Sequence, residues 1–194
     1  MSDPLASLAA IAPDVWLVGG AVRDGLLGRE TADFDVVFAA EDEGMVAEVA
    51  RALARAENGF AFALSDAFGA WRVVENLHRW QVDLTPMGGA TIAADLQRRD
   101  LTVNAIARSL STGQLADPTG GREDLAAGRL RAVSERAFLD DPLRTVRIAR
   151  FVSELGFAVT PETLELARAS AAGLAAIAPE RVFAELKRLL SADG

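Results

Sequence analysis

Hydrophobic and polar positions follow two rhythms along the chain, and the change between them divides it. Val15–Val18 and Asp35–Phe38 are short, nearly continuous apolar runs that read as buried strands, and Ala21–Leu27 between them reads as a short helix. Glu41–Glu57 has helical spacing and the alanine content that favours a helix. Gly59–Leu64, Ala70–Val74 and Trp80–Leu84 read as strands, with a turn near Asn76-Leu77-His78. Ala93–Ser109 mixes helical signals with the polar block QRRD. From Ser134 onward the strand signals vanish. Pro142–Leu155, Pro161–Ala172 and Pro179–Leu190 then read as three helices, each with a proline near its first turn. In the first of them Ile148, Phe151, Val152 and Leu155 make one apolar face. The expectation is an α+β protein: a mixed-sheet domain over residues 1–133 and an all-α domain over 134–194.

Composition narrows the function classes. The chain has 194 residues, enough for one large domain or two small ones with a core. It has no cysteine, which excludes disulfides and thiolate metal sites. No apolar run is long enough for a transmembrane helix and no signal peptide is visible, so a cytoplasmic protein with no membrane partner is expected. The formal charge is −8 at pH 7, so contact with nucleic acid would have to come from local arginine clusters.

The chemistry concentrates in a few blocks. In LVGGAVRDGLLGRETADFDVVF, Asp33 and Asp35 are two apart at the mouth of a strand, hence on one face. Side by side they repel, and a divalent cation with hard-oxygen preference, Mg²⁺, removes that penalty. Taken alone, D-x-D more often marks a polar strand end with two solvated acids. Gly19-Gly20, following a strand and opening a helix, lets a phosphate approach backbone N–H groups, with Arg23 one turn on. Together the two features describe a nucleoside triphosphate with its metal. Asp83, in RWQVDLTPM, is the candidate third carboxylate, and an acid at a sheet edge is an equal reading. Arg98, Arg99 and Asp100 either form an internal ion-pair anchor or place a guanidinium on a triphosphate. Arg144, Arg147 and Arg150 make a slanted row on one helix, and such a row is usually solvated. Asp140 and Asp141 precede it as capping acids or as something more specific.

The ordered blocks LVGGAVRDGLLGR…DFD, RRDLTVNAIA, DPTGGREDLAAGRLRAV, DDPLRTVRIARFVSELGF and PERVFAELKRLL cover roughly Val15 to Leu190. In these the sequence resembles class II tRNA nucleotidyltransferases (CCA-adding enzymes) and bacterial poly(A) polymerases. The resemblance implies a polymerase-β-like nucleotidyltransferase head followed by a helical neck. It implies Mg²⁺ held by Asp33 and Asp35, triphosphate contacts at Gly20 and Arg23, and a nucleotide pocket that includes Arg99 and its neighbours. The neck motif, here Asp140, Asp141 and Arg144, would read the incoming base, with Arg147 and Arg150 as further nucleotide contacts. DPTGGREDL resembles the flexible hinge between head and neck.

The implied activity is template-independent addition of CMP or AMP, from CTP or ATP, to an RNA 3′ end, that of tRNA in this family. Two alternatives are a nucleotidyltransferase acting on a small-molecule or protein hydroxyl, and a non-catalytic nucleotide-binding subunit. The sequence departs from the family in two places. TPMGGATIAADLQ, between Asp83 and Arg98, is shorter and more neutral than the family's segment there. The chain reaches Gly194 without the body and tail domains that grip tRNA in family members. A head–neck fragment, a minimal enzyme, or a subunit completed by a partner chain are the expectations that follow.

Overall fold

The computed structural model describes residues 3–12, 14–39, 43–65 and 69–191. The chain divides into two compact units, one of Met1–Leu96 with Ile106–Asp117, the other of Gln97–Ala105 with Pro118–Gly194.

The first unit is built on a seven-stranded mixed sheet. In chain order its elements are α1 (Pro4–Ile11), β1 (Trp16–Val18), α2 (Gly20–Leu26), β2 (Asp33–Phe38), α3 (Glu43–Ala56), β3 (Gly59–Ser65), β4 (Ala70–Glu75), β5 (Gln81–Pro86), α4 (Ile92–Leu96), β6 (Ala107–Ser109) and β7 (Leu115–Ala116). The strand order is β3-β4-β5-β2-β1-β6-β7, with β2 and β5 parallel and the other pairs antiparallel. Leu17, Val36, Phe38, Val73, Val82 and Leu84 form one core cluster with Val46, Val49, Ala50 and Leu53 of α3. Burying that set is the main reason for the sheet–helix layering, at roughly 1.5–3 kcal/mol per fully buried aliphatic or aromatic side chain. Because side chains alternate along a strand, burial of Val36 and Phe38 assigns Asp33 and Asp35 to the opposite face, where both are exposed.

The second unit contains a short 3₁₀ turn at Thr102–Asn104, then α5 (Gly121–Ala126), β8 (Arg129–Leu130), α6 (Ala137–Asp140), α7 (Arg144–Leu155), β9 (Ala158–Val159), α8 (Pro161–Ser170), a 3₁₀ stretch (Ala171–Ala176) and α9 (Pro179–Ser191). Helix α7 ends at Gly156, whose φ of 70° lets it close the helix in the left-handed conformation. Thr160 caps α8 by accepting from the Thr163 backbone N–H, and Pro161 occupies the first turn. Leu101, Val103, Leu130, Phe138, Ile148 and Phe151 are all buried.

Several elements differ from the periodicity reading. Helix α1 precedes the first expected strand, and its onset is signalled by Asp3, whose carboxylate accepts from the Leu5 and Ala6 N–H groups. Of the expected Glu41–Glu57 helix, Glu41 and Asp42 lie outside the described residues. Strand structure does not vanish after Ser134: β9 pairs in parallel with β8, a two-residue ladder too short to leave a periodic signature. The expected Pro142 helix begins at Arg144, because Asp141 is extended and breaks the chain into α6 and α7. The composition break at residue 134 falls inside the second unit, which also takes in 97–105 and 118–133. Among the described residues no helix is long and apolar enough to cross a membrane.

Candidate active site

In the first unit the register of three strands builds a row of charge. Asp35 on β2 lies beside Asp83 on β5, and Asp83 lies opposite Arg72 on β4. Asp33, two residues before Asp35, extends the acidic end of β2 on the same face. Asp83, the candidate third metal-holding carboxylate, is paired: Arg72 Nε and Nη2 donate to its two oxygens at 2.6 and 2.7 Å. Such fork-to-fork pairing is the strong form of the ion pair. Arg72 is held above its ordinary pKa, first by the hydrogen bonding to Asp83, against partial burial, and with help from the charges of Asp83, Asp33 and Asp35. Arg72 is a candidate that pattern reading missed, because only the pairing register of β4 with β5 brings it beside the acids.

The chemistry of these donors fits a divalent cation. Asp33 and Asp35 are hard, anionic and exposed on one face, so they can serve as two carboxylate ligands and leave positions open for water and phosphate oxygens. No group of three or more acids or histidines suited to a metal occurs among the described residues.

Gly19 and Gly20 join β1 to α2, with Gly19 at φ 70°, a conformation that costs a glycine little. Arg23 is buried, and its Nε and Nη2 donate to the Asp24 carboxylate at 2.8 and 2.9 Å. A methyl at Gly20 would sit 3.5 Å from Arg23 Nη2, an ordinary contact, so the guanidinium lies directly beside the turn. Asp95 closes the TPMGGATIAADLQ segment by accepting from the Gly88 N–H at 2.8 Å.

The second unit gathers the remaining candidates. Arg98, Arg99 and Asp100 lead into the 3₁₀ turn. Asp100 is buried; it accepts from the Leu101 N–H and the Asn104 amide and pairs with Arg147 at 2.9 Å. Burial alone would push its carboxyl up, but Arg147, Asn104, Leu101 and Arg144 outweigh it and hold the pKa below the ordinary value. The aspartate therefore orients Arg147, the internal-anchor alternative for this block. Arg144 donates to the backbone carbonyls of Ala137, Arg98 and Arg99, at 2.9, 2.9 and 3.4 Å, tying the RRD segment to α6. Asp141 accepts from the Leu143 N–H at 3.2 Å and from Arg181 of α9 at 3.0 Å. Asp141 and Arg144 thus flank the start of α7, each held by other partners, and Arg181 is a neighbour that spacing did not reveal.

Arg150 departs from the expected nucleotide contact. It is 3% exposed, its Nε donates to Glu185 at 2.7 Å, and its Nη1 donates to both oxygens of Glu154 at 3.0 and 2.8 Å. Its guanidinium also lies 4.3 Å from the Phe151 ring centroid. A guanidinium so enclosed joins α7 to α9 and has few donors left for a ligand. The stretch expected as a hinge begins where the chain passes from one unit to the other, at Asp117–Pro118, yet it is anchored soon after. Buried Asp124 accepts from Thr102 Oγ1 at 2.7 Å and from Arg131 Nε at 2.8 Å, and pairs with Arg129 at 3.0 Å.

Comparison with known proteins agrees with these blocks. Residues 15–131 match the family "Poly A polymerase head domain", and residues 156–194 match "Probable RNA and SrmB- binding site of polymerase A". The chain is 42% identical to a CC-adding tRNA nucleotidyltransferase of Geobacter sulfurreducens, covering 98% of this chain and 44% of that protein. It is 40% identical to a multifunctional CCA protein of Nitrosococcus oceani, covering 91% and 45%. The chain thus spans about half the length of the curated relatives it matches. A CCA-adding enzyme solved with CTP superposes with a TM-score of 0.84 at 29% identity, over 98% of this chain and 47% of that one. The Thermotoga maritima CCA-adding enzyme solved with tRNA superposes at 0.83 and 30% identity, over 98% and 46%. The mixed sheet with its helices is accordingly the polymerase-β-like nucleotidyltransferase fold, and the chain belongs to the family of tRNA nucleotidyltransferases and poly(A) polymerases.

Proposed function

We propose that this chain carries the nucleotidyl-transfer chemistry of its family: addition of CMP or AMP, from the triphosphate, to the 3′ hydroxyl of an RNA, with tRNA as the acceptor class. The observation that carries the reading is the exposed Asp33–Asp35 pair at the mouth of β2, on the chain that also supplies the Gly19-Gly20 turn and Arg23. Asp33 and Asp35 would hold Mg²⁺, which when bound polarises the α-phosphate and favours the ionised form of the attacking hydroxyl. The acceptor 3′ oxygen forms a bond to the α-phosphorus, the bond from the α-phosphorus to the bridging oxygen breaks, pyrophosphate leaves, and the hydroxyl proton is lost to solvent. Gly19 and Gly20 admit phosphate oxygens to backbone N–H groups, and Arg23 contributes positive charge held in place by Asp24.

Base choice falls to the second unit. Cytosine and adenine each present an amine donor beside a ring-nitrogen acceptor, and uracil and guanine reverse that order. A carboxylate accepting from the amine and a guanidinium donating to the ring nitrogen would therefore favour C and A. Asp141 and Arg144 supply those groups three residues apart at the start of α7. Arg147, oriented by Asp100, stands one turn further along the same helix.

The test is incubation of the protein with α-labelled CTP or ATP, Mg²⁺ and tRNA lacking its 3′ end, beside the same tRNA ending in a 3′-deoxynucleotide. Labelled extension of the first acceptor and none of the second is the expected result. Label transferred to neither RNA but to a small alcohol or to protein would replace the acceptor assignment.

A further inference from the structure

The Arg72–Asp83 pair is not explained by stability alone. Its place in the sheet is specific: Arg72, Asp83 and Asp35 are consecutive neighbours across β4, β5 and β2, in a row that runs into the acid pair. The two side chains are 29% and 22% exposed, so they are neither a buried anchor nor a freely solvated surface pair. Three carboxylates on two neighbouring strands of one sheet face would repel one another, and the cost rises as each loses water. A fixed guanidinium in the row removes part of that cost while no cation is present, and it takes both oxygens of the one acid that would otherwise join a three-carboxylate cage.

We propose that Arg72 is a positioning residue for the carboxylate row: it withholds Asp83 from the cation, leaving Asp33 and Asp35 as the holding pair, and supplies the positive charge that lets the row form before a cation arrives. The proposal rests on the reading of Asp33 and Asp35 as the cation-holding pair. It has a consequence that an ordinary ion pair lacks. Removing the guanidinium should weaken the cation-free protein and at the same time strengthen cation binding, because a competing positive charge leaves and a third acid is released. A merely structural pair would lower stability equally with and without the cation and leave cation affinity unchanged.

The experiment uses the whole chain and Mn²⁺ as the probe, titrated calorimetrically in the absence of nucleotide, with thermal melts in EDTA and in saturating Mg²⁺. Arg72→Met should bind Mn²⁺ about tenfold more tightly than the parent, the order expected when a unit charge is removed close to a divalent ion at a partly wet site. Its melting temperature should fall in EDTA and be largely restored by Mg²⁺. Arg72→Gln, which keeps a hydrogen-bond donor for Asp83, should show the same direction and guards against a misfolded first variant. Arg72→Lys should keep affinity near the parent's, because the charge remains. Unchanged or weaker Mn²⁺ binding in both neutral variants, or equal loss of stability in EDTA and Mg²⁺, would overturn the proposal. Asp33→Ala tests the underlying reading separately. If it leaves the parent's Mn²⁺ binding intact, the acid pair is not the holding site, whatever the Arg72 variants do.

Discussion

Arg150 is where the structure and the family expectation make opposite predictions. The perturbation is Arg150→Met, which keeps much of the side chain's apolar bulk and removes the charge. Three hydrogen bonds are lost, one to Glu185 and two to Glu154. The carboxylates do not suffer equally: the Glu154 side chain is 27% exposed and can turn to water, whereas that of Glu185 is 11% exposed and would be stranded. Breaking a buried pair by removing one partner typically costs about 3–5 kcal/mol, and the partial exposure of Glu154 places this case near the low end, about 3 kcal/mol. For a chain of this size that corresponds to a fall in melting temperature of roughly 6–12 °C. Differential scanning calorimetry on the variant reads the loss. A double variant, Arg150→Met with Glu185→Met, should recover most of it, because the stranded charge is gone and replacing a whole buried pair with apolar groups is often close to neutral. Triphosphate affinity, measured by equilibrium dialysis below the melting range, should be unchanged. A variant that melts like the parent but binds triphosphate poorly would refute the reasoning and return Arg150 to the nucleotide contacts.

Three further outcomes follow from individual contacts. Asp141→Ala should lower CTP and ATP use far more than UTP use, by about a hundredfold or more, flattening selectivity in a four-nucleotide competition assay; unchanged preference would make Asp141 only a capping acid and partner of Arg181. Glu75, hydrogen-bonded by the Arg79 guanidinium, has its pKa lowered from 4.5 to about 2, so its contribution is complete above about pH 4.5 and lost as pH falls toward 2. Glu75→Gln should therefore flatten the acid limb of a melting-temperature profile over that window and do little to its shape at neutral pH. Thr163→Val removes the buried hydroxyl that accepts from the Ala132 N–H at 2.8 Å, and leaving that donor unpaired should cost about 1–3 kcal/mol in a chemical denaturation series.

What could be read from the residues was the part carried by local pattern. The strand read at Asp35–Phe38, those beginning at Gly59 and Ala70, and the helices ending in α9 declare themselves through apolar runs, alternation and prolines, and the opening glycine–arginine–acid block was visible as a unit. The partners were not visible. Arg72 meets Asp83 only because β4 and β5 pair in one register, Asp100 meets Arg147 from 47 positions away in the chain, and Glu185 reaches Arg150 from another helix. Sequence spacing can show that arginines recur every three residues on α7, yet it cannot tell which of them is enclosed. Arg150 is buried between two acids, while Arg144 ties down backbone carbonyls. The short β8–β9 ladder escaped for a different reason, since two residues carry no period.

The central claim, that Asp33 and Asp35 perform nucleotidyl transfer, is tested most directly by single-turnover transfer of labelled CMP to a 3′-truncated tRNA by the parent, Asp33→Ala and Asp35→Ala proteins in Mg²⁺. The account predicts extension by the parent and none by either variant, with each variant melting in EDTA at or slightly above the parent's temperature because two repelling acids have become one. Extension by both variants at near the parent's rate would contradict it.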